Sequence, residues 1–287
     1  MGTVITVMNM KGGVGKTTVA MHLGGMLARY PRVANGEKKV LLIDYDPQFN
    51  LSQAFIPPDK YYELEAQHKT VLSVLLDDQS DLNPYSLQTP DSESPPSVKT
   101  LTYSLFRGRD GRQLHIIAST LNLMYLAMGY TEKQLKPIEV RFGKFITECR
   151  GIYDFIFIDC HPAGSVFTKT SLRNSDHVLI PVIPQRYAVR GIGLMLQFIK
   201  AKKLGISGPE PHILFNYVRR SGISPEETEI RQNPRFGRRC MTNTLKKYKV
   251  FSEPMDGKGF VWTSTKPYSN QAFSNIYQVA TELAKFK

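Results

Sequence analysis

The sequence predicts a doubly wound α/β fold, a single mostly parallel sheet flanked by helices, and three observations predict it. Short β-branched or apolar runs recur at Val4 to Met8, Val40 to Ile43, Leu114 to Ile117, Phe155 to Ile158, Val178 to Ile183 and Ile213 to Phe215. These runs are apolar on both faces, as strands covered from both sides must be, and helical patterns lie between them. Glycine-rich and acidic clusters follow several of the runs, where ligands bind in such sheets, beyond the carboxyl ends of the strands. The 287 residues, 41% of them hydrophobic, suffice to bury the core of one large domain.

The first run leads into Lys11-Gly12-Gly13-Val14-Gly15-Lys16-Thr17-Thr18, and a helical pattern, VAMHLGGMLARY, follows. Glycines let successive backbone N–H groups converge on phosphate oxygens, with the positive end of the helix behind them. In such a phosphate loop Lys16 reaches the β- and γ-phosphates, and the Thr17 hydroxyl is a ligand for Mg²⁺. The expected fold is therefore a P-loop NTPase, with residues Gly12 to Thr18 holding the nucleotide. The general pattern would place its first glycine at position 10, where this chain has Met10.

The second run ends in Asp44-Tyr45-Asp46-Pro47-Gln48-Phe49-Asn50. A carboxylate at a strand end beside a triphosphate can orient the attacking water or accept its proton, which makes Asp44 a catalytic candidate. A long excursion, about residues 77 to 112, comes next, rich in Pro, Ser and Asp. It reads as a loop or insert, with five acids and no Lys or Arg between positions 77 and 98. The fourth run delivers Asp159 toward Mg²⁺ from the end of Phe155-Ile156-Phe157-Ile158. His161, two residues on, is weighed as a catalytic imidazole and as a tolerated loop residue, and the second reading is preferred because no partner for it is in view. The sixth run ends at Asn216, whose amide could pair with the adenine edge or simply form a turn. Ala272, Phe273, Ile276, Val279, Ala280 and Leu283 then mark a last amphipathic helix.

Charge and cysteine usage narrow the partners. A formal net charge of +12 favours polyanions, nucleic acid before an anionic membrane surface. Residues 219 to 249 are the most basic stretch, with Arg219, Arg220, Arg231, Arg235, Arg238, Arg239, Lys246, Lys247 and Lys249 against three glutamates. Arg219, Arg220, Arg235, Arg238, Arg239, Lys246 and Lys247 are the candidate DNA contacts, and few base-reading features accompany them, so the expected binding is independent of sequence. Cys149, Cys160 and Cys240 form no C-x-x-C pair and suggest neither zinc nor a disulfide framework. No run is long enough to span a membrane and the start carries no signal-like segment, so the expected location is cytoplasmic.

K-G-G-x-G-K-T at Lys11 to Thr17, D-x-D-P-Q-x-N at Asp44 to Asn50 and the strand ending in Asp159 resemble the deviant Walker A ATPases of the ParA/MinD family. The resemblance covers almost the whole chain and is nearest to the small ParA, or Soj-like, partition ATPases. It implies an ATP- and Mg²⁺-dependent homodimer in which Lys11 crosses to the partner's nucleotide. It also implies slow ATP hydrolysis stimulated by a ParB-like or other cargo adaptor, nonspecific DNA binding and nucleoid association. A MinD-like membrane reading would require an amphipathic helix after the body, and a metabolic or metallocluster-assembly enzyme a substrate pocket. Neither signature is present. His161 departs from the family pattern, which has proline there.

Overall fold

The computed structural model describes residues 1–36, 38–79, 82–83, 88–126, 132–161, 165–201 and 208–286. Among these residues seven strands are present: β1 (Thr3–Val7), β2 (Lys39–Tyr45), β3 (Tyr103–Arg107), β4 (Gln113–Ile117), β5 (Phe155–Cys160), β6 (His177–Val182) and β7 (Glu210–Phe215). The helices in chain order are α1 (Lys16–Arg29), α2 (Asn50–Phe55), α3 (Pro58–Ala66), α4 (Leu72–Leu75), α5 (Val98–Leu101), α6 (Glu132–Ile152), α7 (Val166–Asn174), α8 (Ala188–Ala201), α9 (Pro225–Gln232) and α10 (Ser269–Leu283). The strands form one sheet in the order β3-β4-β2-β5-β1-β6-β7, parallel except for β3, which runs antiparallel to β4.

Alternation along each strand divides the core between the two faces. Val4, Met8, Ile156 and Ile158 face one layer, packed with Phe142, Phe145 and Phe167 from α6 and α7. Ile5, Val7, Phe155 and Phe157 face the other, packed with α1 and α10. Gly24 and Gly25 in the middle of α1 earn their place by close approach: a Cβ at Gly24 would lie 2.6 Å from Leu42 and one at Gly25 2.1 Å from Trp262. The last helix forms as its pattern predicts, with Ala272, Ile276, Val279, Ala280 and Leu283 buried.

Of the two readings of the excursion, loop or insert, the described part favours the second. Its described part is not a loop throughout, because α5 and β3 both lie inside it. YSLFR pairs with β4 on one edge, a five-residue strand whose partly exposed face gives no continuous apolar run to read. Residues 80–81 and 84–87 of the excursion lie outside the described residues. Arg141 of α6, 1% exposed, ties the described remainder to the body. Its guanidinium donates to the carbonyls of Ser73, Val74, Ser92 and Ser94 at 2.6 to 3.0 Å and stands 3.5 Å from the Asp77 carboxylate. A buried cation is stable only when so satisfied.

Candidate functional site

Parallel pairing brings four strand ends to one edge of the sheet. β1 lies between β5 and β6, with Val7 opposite both Asp159 and Leu179, and β2 sets Asp44 opposite Asp159. The loop Asn9 to Gly15 leaves β1 at this edge and α1 starts at Lys16. Gly13 (φ 72°) and Gly15 (φ 85°) occupy the left-handed region, which turns backbone N–H groups toward a common side and disfavours any side chain. Lys11, Gly12 and Gly13 are exposed, and a Cβ placed on Gly12 or Gly13 would meet no atom within 4 Å among the described residues. The loop is an open cradle with the N-terminus of a fourteen-residue helix behind it.

Two asparagines hold the cradle. Asn9 Nδ2 donates to the Pro181 carbonyl of β6 at 2.8 Å, while its Oδ1 accepts from the Lys11 N–H. Asn216 Nδ2 donates to the Val14 carbonyl at 2.8 Å and its Oδ1 accepts from the Tyr217 N–H. Asn216 is 4% exposed and sits 2.4 Å from where a Gly15 Cβ would be. Its amide, which the sequence offered as a base contact or a turn former, donates to the phosphate loop through Nδ2 and accepts the next residue's N–H. Beside it, Thr18, Tyr217, Lys246 and Tyr248 line a narrow slot.

The acidic pair lies below the loop. Asp159 is 1% exposed; the Thr17 hydroxyl hydrogen-bonds to it, and its Oδ1 has no partner among the described residues. Burial pushes this carboxyl up to about 7, against the lowering effects of the Thr17 bond and the Lys16 charge. Such an orphaned, buried oxygen beside a threonine hydroxyl suits a hard cation with oxygen ligands. Asp44 is fully buried and raised well above the usual carboxylate range, first by burial and then by Asp159, although hydrogen bonds from Ser52 pull it down. Ser52 of α2 donates both its N–H and its hydroxyl to Asp44 Oδ2 at 2.7 Å, and its oxygen accepts the Ser119 N–H. Ser52 and Asn9 went unmarked at the sequence level. Asn9 carries a faint signal, an Asx turn two residues ahead of Lys11, whereas Ser52 is defined only by the fold.

His161 follows β5, with its backbone N–H donating to the Tyr45 carbonyl, and residues 162–164 lie outside the described residues. The other histidine near the loop, His22 of α1, is structural. Burial lowers it to about 4; it bonds the Thr18 carbonyl and is packed among Phe251, Phe260 and Trp262.

The side chains of the basic stretch have different surroundings. Arg220 stacks on Tyr268 and Tyr248, 4.7 and 5.9 Å from the ring centroids, and shares a hollow with Lys247 and Lys249. Arg231 turns inward to Glu227 and the Met241 carbonyl. Arg235 and Arg239 instead line a groove of about 770 Å³ along α8, together with Arg190, Leu194, Gln197 and Lys200. Arg219 and Arg238 are exposed and Lys246 is half-buried. Among the described residues, no helix is long and apolar enough to cross a membrane.

Comparison with known proteins agrees with this geometry. Residues 2–206 match a family described as AAA domain. The chain is 28% identical over 207 residues to the chromosome-partitioning ATPase Soj of Treponema pallidum, covering 72% of this chain and 67% of that protein. It is 30% identical over 203 residues to the sporulation initiation inhibitor protein Soj of Bacillus subtilis, covering 70% and 66%. The aligned stretch thus spans about two thirds of each relative. A plasmid partition protein of Borrelia burgdorferi bound to AMPPNP superimposes with a TM-score of 0.70 at 19% identity, over 97% of this chain and 98% of that one.

Proposed function

The chain belongs to the AAA-domain family that includes the Soj and ParA partition ATPases, and from that premise we propose that it is an ATP-switched dimer that positions DNA or another large cargo. The observation that carries the proposal is the open face of the phosphate loop. Lys11, a second lysine outside the fold's own interior, stands exposed beside Gly12 and Gly13, which no described residue covers. A partner copy closing over that face would place its own Lys11 against the nucleotide held here.

The residues divide the work by position. Lys16 and the N–H groups from Gly12 to Thr18 bind the phosphates of ATP, since both the loop and the helix end favour negative charge. Thr17 and Asp159 would hold Mg²⁺; the orphaned Oδ1 of Asp159 fits that role. When bound, the ion supplies positive charge that neutralises phosphate oxygens. Asp44, held by Ser52, orients the attacking water and takes up its proton. Hydrolysis on this scheme is slow alone and faster with a ParB-like or other adaptor. Basic side chains on the assembled dimer bind DNA phosphates without reading sequence, which would keep the protein on the nucleoid.

The test is binding to random-sequence duplex DNA with ATP, with ADP and without nucleotide, across a salt series. Binding should require ATP, weaken with salt and disappear in Lys11→Ala, while that variant still binds ATP as a monomer. Binding indifferent to nucleotide would overturn the proposal and turn attention to anionic vesicles and small-molecule substrates.

A further inference from the structure

At the opposite end of β6 and β7 from the phosphate loop, three side chains converge that the nucleotide site does not use. His177 opens β6, and Glu210 and His212 are the first and third residues of β7. The register pairs His177 with Glu210 and Leu179 with His212. Because side chains alternate along a strand, all three project from the same face of the sheet. His177 Nδ1 lies 3.1 Å from His212 Nε2, and Glu210 Oε2 lies 3.9 Å from each of those nitrogens. Among the described residues this is the only group of three such side chains whose ligand atoms all lie within 4.8 Å of one another.

We propose that His177, Glu210 and His212 form a binding site for a divalent transition ion of the zinc type. The dimensions argue for it. Zinc bonds its nitrogen and oxygen ligands at about 2.0–2.2 Å in a tetrahedron, which sets neighbouring ligand atoms roughly 3.3–3.5 Å apart. The imidazole pair is fixed near that spacing by two hydrogen-bonded strands. Glu210, 68% exposed, has the freedom to close the remaining few tenths of an ångström. Phe286 stacks on His212 at a centroid distance of 3.8 Å and covers His177 at 5.1 Å, giving the site an apolar wall, while the side bearing Glu210 is open to a solvent ligand. Glu210 and Glu282 act on the two rings against the guanidinium of Arg239, while Asp176, which also acts on His177, is itself paired with Arg150. A hydrogen bond between two imidazoles would account for the 3.1 Å contact alone, but it leaves the placement of Glu210, equidistant from both nitrogens, without a purpose.

The site is separate from the one for Mg²⁺. Four residue steps along β7, roughly 13 Å at 3.3 Å per step, separate His212 from Asn216 at the phosphate loop. A metal there would clamp the edge strand β7 to β6.

The experiment titrates chelator-treated, untagged full-length protein with Co²⁺ alone, in the absence of nucleotide, and follows the visible d–d bands of tetrahedral cobalt. One tetrahedral Co²⁺ per chain is expected, displaced by Zn²⁺ and unaffected by Asp159→Asn. His212→Gln should abolish the bands. Glu210→Ala, an exposed change that leaves the fold intact, should weaken binding by about tenfold or more and remove the rise in Tm that Zn²⁺ gives the parent protein. Absence of tetrahedral bands in the parent protein, or bands undiminished in Glu210→Ala, would overturn the assignment. Should His212→Gln fail to fold, Glu210→Ala decides by itself.

Discussion

Asp44 and Asp159 are register partners on β2 and β5, so adjacent parallel strands carry two buried carboxylates to the same edge of the sheet. Both are raised by burial, and Asp44 is raised further by its neighbour. Two such groups side by side cannot both ionise without positive charge nearby. Without nucleotide, the edge stores an electrostatic debt that ligand and cation relieve.

This arrangement gives stability a specific pH dependence. Asp159 has a folded value of about 7 against an ordinary 3.8, so the folded chain holds this proton more tightly than the unfolded one. The stabilisation is complete below about pH 4 and is lost as pH rises through 7. Asp159→Asn should remove that loss and stabilise the nucleotide-free protein by about 2–4 kcal/mol at pH 8 relative to the parent. Urea unfolding of both proteins at pH 5 and pH 8, without Mg²⁺, measures the difference. The difference is the proper quantity because His22, lowered to about 4, has the opposite sign: its contribution is present above pH 6.5 and is lost on acidification toward 4. Equal pH dependence in parent and variant would contradict the assignment.

Replacing the Asp44 carboxylate should separate chemistry from binding. Asp44→Asn keeps an acceptor for Ser52 but loses the proposed base, and single-turnover phosphate release should fall by about 10²-fold or more with ATP affinity changed only a few-fold. Ser52→Ala, which frees rather than removes the carboxylate, should slow release less and shift its pH profile. A normal rate in Asp44→Asn would assign the water to another group.

Arg141→Met should destabilise the chain by about 3 kcal/mol, because four backbone carbonyls lose a buried donor at once. Limited proteolysis should then cut within residues 88–97. Lys144→Ala is the control. Its pair with Glu93 is exposed on both sides, and its removal should change stability by less than about 0.5 kcal/mol. Similar effects from the two substitutions would show that the excursion is not held through Arg141.

The divided basic stretch makes a further distinction. Arg235 and Arg239 share their groove with Arg190 and Lys200, forming a strip along α8, whereas Arg220 is occupied with Tyr248 and Tyr268. Arg235→Ala combined with Arg239→Ala should reduce the slope of log affinity against log salt by about 2 on random DNA. Arg220→Ala should leave the slope nearly unchanged, well short of the roughly 0.9 that one phosphate contact contributes. The reverse ranking would move the DNA track to the hollow beside Lys247.

What could be read in the sequence was local. Six of the seven strands and the phosphate loop lie in contiguous runs whose period or residue order is diagnostic, and Asp44 and Asp159 stand at the ends of such runs. β3 escaped because its five residues are half-exposed on an edge strand. Ser52 reaches Asp44 from a separate helix, and Arg141 meets its acceptors 47 to 68 positions away. Neither leaves a pattern along the chain. For Asn216 the residue was singled out but its contact was not, since the Val14 carbonyl that it bonds lies 202 positions earlier.

Asn9 and Asn216 have a consequence for nucleotide preference. Fixing a residue's backbone removes about 1–2 kcal/mol of conformational freedom, and these two side chains impose that order on the loop while the protein folds. Phosphate therefore meets a loop already shaped to receive it, and ADP and ATP, which share the phosphates nearest the cradle, should draw similar affinity from it. On the proposed scheme, telling one nucleotide from the other then falls to contacts beyond the cradle, from Lys16 and from a partner copy that would close over the loop's open side.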